Sequence, residues 1–471
     1  MSQATIAFVH PRRMARQYRT DVMSAVHRRA LGDQGLASVR IDVLLENPNT
    51  EDTQLARLTG RLRALGVRLV VLEHGFSEAF LAALRAGGVG GVLVLGRPSE
   101  RKRPGVDLAL PPISSEAFCR VARTLLQDDP EKHIEGLEKP EAPFVVAQEL
   151  RARLPLWEGE EHIGTPEALA VASRWATASV LVDLGCPYRH QQRDPEALHG
   201  VTLPTACPRS GCSFCERPRA ERIPVPARIT LAMAQLRHLA SARPELQRVQ
   251  IVDESFLGYV DRFAEALVAE DLPGRDLLLS ARPDWFLQQR PRLERALTRL
   301  KGRHRLVLFC LGVENFSHRE LALFNKGFSP QQGIDALSAV ESLRHQHPGF
   351  TIEPTFGFVL MNPWTRLEDL LINWKRMRDV DFTRFREGAL HSRLRLYEEI
   401  PLYHRARAEG LLLDETRHSG IDYGYGDADY RFVDPSVQRI HDQIASRGLA
   451  GDDLEALGVM CREEVRLRRR K

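Results

Sequence analysis

The 471-residue chain has no run of 18 or more apolar residues, and it does not begin with a charged segment followed by an apolar one. These absences argue against a membrane-spanning helix and against a secretory leader. Cysteine is scarce, at seven residues, so a disulfide framework is not expected and a reducing cytoplasm is the compartment that fits. Neither charge sign dominates, since 66 Lys and Arg against 62 Asp and Glu leave a net charge of +4. That balance gives no support to nucleic-acid binding.

The length exceeds what one ordinary hydrophobic core holds, while 43% hydrophobic and 27% charged residues are typical of a globular protein. Composition and periodicity predict four segments. They are a doubly wound domain at 1–130, a charged, proline-rich linker with helices at 131–195, a strand–helix domain at 196–412, and an extension at 413–471. Residues 421–433 in that extension are rich in aromatics and glycine, so they are a candidate active-site cap or, alternatively, a surface loop.

Strand-like runs alternate with helical patterns in the first 130 residues. The candidate strands are 6–9, 39–45, 67–72, 91–95 and 106–110. This alternation predicts a parallel sheet with right-handed crossovers. Ligands of such sheets bind outside the carboxyl ends of the strands, where His10 and His74 fall. The first loop has no G-x-G-x-x-G motif, so a dinucleotide site is not supported, and a scaffold that binds nothing is the alternative.

The alternation resumes after residue 178. The candidate strands there are 180–184, 201–206, 249–253, 277–281, 305–313, 352–360 and 389–396. Repeated βα units predict a full or partial barrel, in which chemistry gathers at the carboxyl ends of the strands. The polar residues at the predicted strand ends include Asp253, Glu254, Arg282 and Glu314. We therefore expect an active site at that end of the barrel.

Three of the seven cysteines, Cys207, Cys212 and Cys215, form a C-x4-C-x2-C run. Thiolates bind soft metals tightly, so the run predicts an iron–sulfur cluster or another metal site. If the cluster holds four irons, three ligands leave one iron open to a substrate. A zinc site completed by Cys186 or His190 is an alternative. A plant-type ferredoxin site would need a fourth cysteine nearby, and the next one along the chain is 95 residues on.

Several stretches resemble radical S-adenosylmethionine (SAM) enzymes in order and spacing. They are TACPRSGCSFCERP, IVDESF, SARPDWF, LGVENFS followed by LALFNKGFS, PTFGFVLMNPWTRLEDL and LRLYEEIPLYHRARAEGLL, which together cover about residues 200–412. The doubly wound domain ahead of them resembles the cobalamin-binding subgroup of that family. The resemblance implies an α/β fold, with a doubly wound, Rossmann-like and B12-binding-like domain followed by a partial (β/α)6 radical SAM barrel.

The resemblance also implies a role for each candidate site residue. Cys207, Cys212 and Cys215 would ligate a [4Fe–4S] cluster, with SAM on its fourth iron. SAM would further contact Phe214 near its adenine, Asp253 and Glu254 at its amino group, Arg282 at its carboxylate, and Glu314 at its ribose or amino group. A guanidinium suits a carboxylate because it can bind both oxygens.

The reaction implied by the resemblance is cleavage of SAM to a 5′-deoxyadenosyl radical. In the cobalamin subgroup the radical prepares an unactivated carbon, which then receives a methyl group from cobalamin. A radical rearrangement, cyclisation or decarboxylation, with or without cobalamin, is the alternative within the class. A non-catalytic zinc- or cluster-binding scaffold is the alternative outside it. The expected partners are a small-molecule or peptide substrate and an electron donor such as flavodoxin or ferredoxin.

The chain departs from the family pattern at three points. Its cysteine run has one residue more than the common C-x3-C-x2-C, and Cys186 in LGCPYRH is an alternative ligand to Cys207. The first domain has no D-x-H-x-x-G motif, which implies a cobalamin without the usual protein ligand, and His74 is then the residue expected nearest its lower face. Methylthiotransferases carry further cluster cysteines in their first domain, whereas this chain has only Cys119 there.

Overall fold

The structure is a computed structural model that describes most of the chain. The described residues are 5–12, 19–20, 22–45, 48–72, 77–95, 104–110, 115–126, 160–167, 169–170, 176–183, 185–192, 197–198, 200–204, 207–215, 223–398, 400–418 and 428–470. The chain separates into two compact units. The first comprises Met1–Asp183, Pro226–Val252 and His418–Gly426, and the second Leu184–Val225, Asp253–Arg417 and Asp427–Lys471. The four-segment division remains a prediction.

The first unit contains nine strands and five helices within its described residues. The strands are β1 (Ile6–Arg12), β2 (Arg19–Thr20), β3 (Ser38–Leu44), β4 (Leu69–Leu72), β5 (Gly91–Leu95), β6 (Leu108–Leu110), β7 (Glu160–Ile163), β8 (Thr177–Leu181) and β9 (Arg248–Val252). The helices are α1 (Val22–Asp33), α2 (Pro48–Leu65), α3 (Glu78–Ala86), α4 (Ser115–Leu125) and α5 (Val225–Ala242).

Six of these strands form a parallel sheet in the order β6-β5-β4-β1-β3-β7. Without β7, this is the doubly wound order in which the second strand lies on one side of the first and the later strands on the other. The predicted α/β class with parallel sheets is confirmed. Ligands of such a sheet bind where the order reverses, which here is the carboxyl end of β1 and β4. His74, two residues beyond β4, lies outside the described part of the chain.

Strand periodicity explains why helices cover both faces of this sheet. Successive side chains of a strand point to opposite faces. In β1, Ala7 and Val9 therefore join one buried cluster and Ile6 and Phe8 another. The first cluster includes residues of α2 and α3, and the second includes residues of α1 and α4. The uninterrupted apolar runs of the sequence correspond to strands buried on both faces.

The second unit carries the candidate site. Its strands are β10 (Asp276–Ala281), β11 (Arg305–Glu314), β12 (Phe350–Ile352), β13 (Gly357–Phe358), β14 (Leu412–His418) and β15 (Ala428–Tyr430). Its helices are α6 (Val260–Ala269), α7 (Pro283–Leu300), α8 (His318–Leu323), α9 (Pro330–Gln346), α10 (Leu367–Asp379), α11 (Pro401–Ala408), α12 (Pro435–Arg447) and α13 (Leu454–Arg469). β11 pairs in parallel with β10, β12 and β13. Among the described residues of the whole chain, no helix has the length and apolar character needed to cross a bilayer.

Three predicted strands differ from what the structure contains. Residues 201–204 of the predicted strand 201–206 are not in a strand. The predicted strand 352–360 is two short strands, because Pro354 lies between them and has no amide hydrogen to donate. The predicted strand 389–396 begins as the 3-10 helix Ala389–His391, and the Ser392 hydroxyl caps it by donating to the Ala389 carbonyl at 2.6 Å.

Helix α13 packs on α10 through a glycine and a tryptophan. A Cβ atom at Gly458 would lie 2.7 Å from Cζ2 of Trp374, far inside van der Waals contact. The same indole ring is contacted by two guanidinium groups, Arg378 at 4.9 Å and Arg462 at 5.0 Å from its centroid. Glycine at this helical position therefore allows the two helices to approach closely.

We expect Gly458→Ala to lower thermal stability, although alanine favours helices by about 1 kcal/mol. Overpacking a tight contact typically costs about 1–3 kcal/mol and outweighs that gain. The matched control is Gly333→Ala in α9, where the new Cβ would meet Val313 at an ordinary 3.5 Å. The melting temperature should fall for the first variant only. An equal or raised melting temperature for Gly458→Ala would contradict the packing described.

Candidate active site

The three cysteines lie on one loop, which the turn at residues 324–327 holds in place. Asn325 Nδ2 donates to the carbonyl of Gly211 at 2.8 Å and to that of His190 at 3.0 Å. The Gly211 amide donates to the His190 carbonyl at 2.9 Å, and the Ser213 amide donates to the Phe324 carbonyl at 3.1 Å. Asn325 has a φ of +52°, a left-handed conformation that asparagine adopts more readily than most residues. The turn thus fixes the residues on both sides of the second cysteine.

The cysteines differ in exposure. Cys207 is only 4% exposed, and its amide donates to the Pro204 carbonyl at 3.0 Å. Cys212 and Cys215 are half-buried. The Cys215 amide donates to the Cys212 carbonyl at 3.1 Å, which closes a tight turn between them. One loop therefore presents two accessible sulfurs and one buried sulfur.

Arg282 directly follows β10 and directs its guanidinium at this loop. Its Nη1 lies 3.8 Å from Cys212 Sγ, within reach of a hydrogen bond to sulfur. Its Nε donates to Asp284 Oδ1 at 3.1 Å, and its Nη2 donates to the carbonyl of Lys326. The guanidinium carbon lies 3.9 Å from the centroid of the Tyr188 ring, a cation–π contact. Because Arg282 is 7% exposed, it brings a buried positive charge to Cys212.

Lys326 brings a second buried positive charge. It is 4% exposed, and its Nζ donates to Glu314 Oε1 at 3.1 Å. The same Nζ lies 5.6 Å from the centroid of the Phe214 ring. Burial lowers the pKa of Lys326, but the charges of Cys212 and Glu314 raise the pKa above its ordinary value. The ammonium therefore stays protonated between Glu314 and Phe214, both of which have predicted cofactor roles.

Glu314 ends β11 in a left-handed backbone conformation, with a φ of +63°. A residue other than glycine rarely adopts this conformation, and such strain is concentrated at functional sites. Its carboxylate fits because two neighbours lack side chains. A Cβ at Gly312 would lie 2.7 Å from Glu314 Oε1, and a Cβ at Gly357 would lie 3.2 Å from Oε2. The two glycines therefore make room for this carboxylate.

The two acidic residues after β9 differ in what they contact. Asp253 is buried, and its carboxylate accepts hydrogen bonds from the Ser255 amide at 2.7 Å and the Tyr259 hydroxyl at 2.6 Å. Glu254 accepts a hydrogen bond from the Ser280 hydroxyl at 3.3 Å and faces an open pocket of about 220 Å³. The pocket is lined by Pro187, Glu254, Ser255, Leu257, Gly258, Ala281, Trp285, Gln288 and Gln289. Asp253 stabilises the turn, whereas Glu254 faces space that a ligand can enter.

The cysteine loop and the two buried cations near it show whether the residues present fit an iron–sulfur cluster. Within the described residues, no three His, Cys, Asp or Glu side chains converge on one point as ligands of a single metal ion do. The thiolate ligands of a cluster each bind a different iron, so their sulfur atoms do not converge on one point. Three thiols on one loop, with the positive charge of Arg282 at Cys212 and that of Lys326 near Phe214, fit the charge of a thiolate-bound iron–sulfur cluster.

The structure brings some of the predicted site residues together. Cys212 contacts Arg282, and Lys326 links Glu314 with the Phe214 ring. The Phe214 ring also packs edge-on against Phe324, at a centroid distance of 5.2 Å.

Other site predictions remain open. Cys186 is half-buried, and its substitution for Cys207 as a ligand stays a prediction. The cobalamin role of His74 stays a prediction as well, since that residue is outside the described part of the chain. The aromatic segment 421–433 is described only from residue 428, so the cap is also untested.

Sequence reasoning missed three residues that hold this site together, namely Tyr188, Asn325 and Lys326. Asn325 and Lys326 belong to the stretch LALFNKGFS, which entered the analysis only as part of a family resemblance. An Asn-Lys-Gly turn after a short helix is a signal for a left-handed backbone. Gly327 has a φ of +74°, and a Cβ there would overlap the Tyr188 hydroxyl. That contact joins segments 139 residues apart, which no local pattern reveals.

The fold and site define an α/β protein with a doubly wound sheet and a cysteine loop beside the carboxyl ends of parallel strands. No family model matches the chain, and no curated protein matches it significantly. Several solved structures share its fold, among them the following three. OxsB, a cobalamin-dependent S-adenosylmethionine radical enzyme in its apo form, has a TM-score of 0.57 and 14% identity over 95% of this chain and 67% of that chain.

The other two structures are of TsrM from Kitasatospora setae, a radical S-adenosylmethionine methyltransferase. The complex with tryptophan and a SAM analogue has a TM-score of 0.52 and 14% identity, over 86% of this chain and 76% of that chain. The complex with cobalamin and a [4Fe–4S] cluster has a TM-score of 0.52 and 15% identity, over 87% and 75%. At this identity the likeness shows a shared fold, and it confirms the fold implied by the sequence resemblance.

Helix α8, which leads into the 324–327 turn, carries a buried carboxylate network. Glu320 is fully buried and accepts hydrogen bonds from Arg319 Nη2 at 2.9 Å and from Asn362 Nδ2. The nearby Asp369 accepts a hydrogen bond from the Ser317 hydroxyl at 2.6 Å. Burial, and then the negative charge of Asp369, raise the pKa of Glu320 to about 8. Glu320 is therefore protonated in the folded protein at neutral pH.

This raised pKa predicts a pH dependence of stability. The folded state holds a proton on Glu320 up to about pH 8, whereas the unfolded state releases it near the ordinary pKa of 4.5. Stability should therefore fall as pH rises between these values, by up to about 1.4 kcal/mol per pH unit. Glu320→Gln should flatten that dependence, while Glu463→Gln at an exposed position should not. Urea unfolding midpoints at pH 5.5, 7 and 8 provide the measurement, and identical slopes in all three proteins would refute the protonation assigned.

Asn325→Asp should loosen the cysteine loop, because a carboxylate cannot donate to the carbonyls of His190 and Gly211. Each lost hydrogen bond is worth about 0.5–1.5 kcal/mol, so the population of molecules with an opened cysteine loop should rise about tenfold. Alkylation of Cys207 in the apo protein, followed by mass spectrometry, reports that opening. Gln331→Glu, on the exposed end of α9, is the control. An alkylation rate equal to that of the wild type would mean that Asn325 does not restrain the loop.

Proposed function

We propose that the chain is a cobalamin-dependent radical SAM enzyme that acts on a small molecule or peptide. The observation that carries the proposal is the contact between Cys212 and the buried Arg282 at the end of β10. A cysteine in a purely structural position does not need a buried guanidinium within 3.8 Å of its sulfur. The shared fold with OxsB and TsrM adds support.

Cys207, Cys212 and Cys215 are the proposed ligands of a [4Fe–4S] cluster. When bound, such a cluster supplies the electron that cleaves SAM and leaves a 5′-deoxyadenosyl radical. The protein contributes the thiolates, the buried charges of Arg282 and Lys326, and a loop held by the 324–327 turn. A one-electron donor such as flavodoxin or ferredoxin, in the cytoplasm, is part of the proposal.

The SAM site proposed here uses Phe214, Glu254, Arg282 and Glu314. Glu254 is favoured over Asp253 for the amino group, because the Asp253 carboxylate is engaged in its own turn while Glu254 faces the pocket. Glu314 is a candidate for the ribose or amino group, and its carboxylate occupies the room left by Gly312 and Gly357, where it pairs with Lys326. Arg282 is a candidate for the SAM carboxylate.

Methylation of an unactivated carbon is the finer proposal. It is supported by the doubly wound sheet, whose reversal point lies between β1 and β4, and by the likeness to TsrM, a methyltransferase solved with cobalamin. In that role the first unit would hold cobalamin at the carboxyl ends of its strands. A radical rearrangement or cyclisation, which would use the same cluster and SAM site, is the alternative within the class.

Anaerobic reconstitution with iron and sulfide, followed by dithionite and SAM, tests the proposal. The wild type should bind iron and sulfide in equal amounts and form 5′-deoxyadenosine. Cys212→Ala should lose both properties, because one iron loses its thiolate. Cys461→Ala, which removes a buried thiol of α13, should keep both. Comparison of Cys186→Ala with Cys207→Ala identifies which of these cysteines is the third ligand.

Two results would overturn the proposal. A fully loaded cluster without 5′-deoxyadenosine would remove the catalytic interpretation, and one zinc ion in place of iron would favour the scaffold alternative. Adding hydroxocobalamin to the same preparation separates the two catalytic candidates. A substrate-derived product heavier by one methyl group supports methylation, and an isomeric product supports rearrangement.

A further inference from the structure

Two buried cations from different elements meet at the cysteine loop. Arg282 follows β10, and Lys326 lies in the turn after α8. Both are more than nine-tenths buried, and the Arg282 guanidinium lies 3.8 Å from Cys212 Sγ. Burying a charge is costly unless other charges compensate it. Asp284 pairs with Arg282 and Glu314 pairs with Lys326, so each buried charge has a carboxylate partner, and the Arg282 guanidinium also reaches the half-buried Cys212 thiol.

The position of Lys326 is rigidly defined. Its carbonyl accepts a hydrogen bond from Arg282 Nη2, and its ammonium donates to Glu314 Oε1 at 3.1 Å. The residue before it, Asn325, accepts a hydrogen bond on its carbonyl from the Tyr188 hydroxyl at 2.8 Å. The ring of Tyr188 in turn stacks on Arg282. The backbone of Lys326 and the guanidinium therefore form one connected unit.

The surroundings of the ammonium enhance its electrostatic effect. Its Nζ lies 5.6 Å from the Phe214 ring and 5.7 Å from the Phe328 ring, and the residue is only 4% exposed. Phe214 is the residue between Cys212 and Cys215 that precedes the last cysteine of the run. In such a low-dielectric environment, a charge acts on its neighbours more strongly than it would in water.

We propose that Lys326 is a positioning residue that tunes the reduction potential of the cluster. Its buried ammonium, held by Glu314 at 3.1 Å and lying 5.6 Å from the Phe214 ring of the cysteine loop, raises the reduction potential of a cluster bound at the three cysteines. The proposal rests on the proposed function, since it needs the cluster. A nearby positive charge stabilises the reduced cluster, which carries one more negative charge than the oxidised one. Net charge and contacts to the sulfurs are among the factors that set the potential of iron–sulfur clusters.

The test compares cluster reduction potentials of reconstituted proteins without SAM, in redox titrations followed by EPR. Lys326→Gln removes the charge but keeps a donor for Glu314. The equilibrium constant for reduction of its cluster should fall about tenfold, which lowers the reduction potential by about 59 mV for a one-electron couple. Lys326→Arg restores the charge and should restore the wild-type potential. Lys375→Gln removes the same charge from an exposed position on α10 and should leave the potential unchanged.

If Lys326→Gln does not fold, as judged by circular dichroism, Lys326→Met replaces it in the same comparison. A loaded variant whose potential equals that of the wild type overturns the role of Lys326 and leaves the proposed function standing. A potential that falls in Lys326→Gln and also stays low in Lys326→Arg overturns it as well, because charge is then not the cause. A wild type that binds no cluster overturns both the proposed function and this role.

Discussion

The positive charges buried at Arg282 and Lys326 are the constraint on which the site depends. A guanidinium and an ammonium removed from water must be compensated by negative charge and by hydrogen-bond acceptors. The chain supplies Asp284 and Glu314 as carboxylates and the Lys326 carbonyl as an acceptor. Cys212 is the remaining acceptor, and its thiol becomes a strong partner once it is a metal-bound thiolate. The two carboxylates balance the two cations, and the Arg282 guanidinium remains within reach of the Cys212 sulfur.

The turn at residues 324–327 contacts the cysteine loop, both buried cations and the residues at the ends of β10 and β11. Asn325 restrains the loop, Lys326 pairs with Glu314, and the absence of a side chain at Gly327 leaves room for Tyr188. The carboxyl ends of β10 and β11 bring Arg282 and Glu314 to this turn. The arrangement follows from parallel strand pairing, in which strand ends fall on one side of the sheet.

Local sequence patterns predict much of the fold, but they predict less of the candidate site. The short apolar runs of β1, β4 and β5 alternate with helical patterns, and that alternation predicts a buried parallel sheet. The cysteine spacing and the polar residues after β10 and β11 predict a site at the strand ends. The role of Tyr188 depends on contacts with Asn325 and Gly327, more than 130 residues away, and single-sequence periodicity carries no such information. Segment 352–360 shows a second limit, since one proline divides an otherwise strand-like run.

The central claim is that the three cysteines hold an iron–sulfur cluster with one iron open to SAM. EPR spectroscopy of the anaerobically reduced protein, recorded with and without SAM, tests it most directly. The account predicts the signal of a reduced [4Fe–4S] cluster whose g values change when SAM is added, because SAM binds the iron without a cysteine. A cluster signal that SAM leaves unchanged, or no iron-based signal in protein loaded with iron and sulfide, would contradict it.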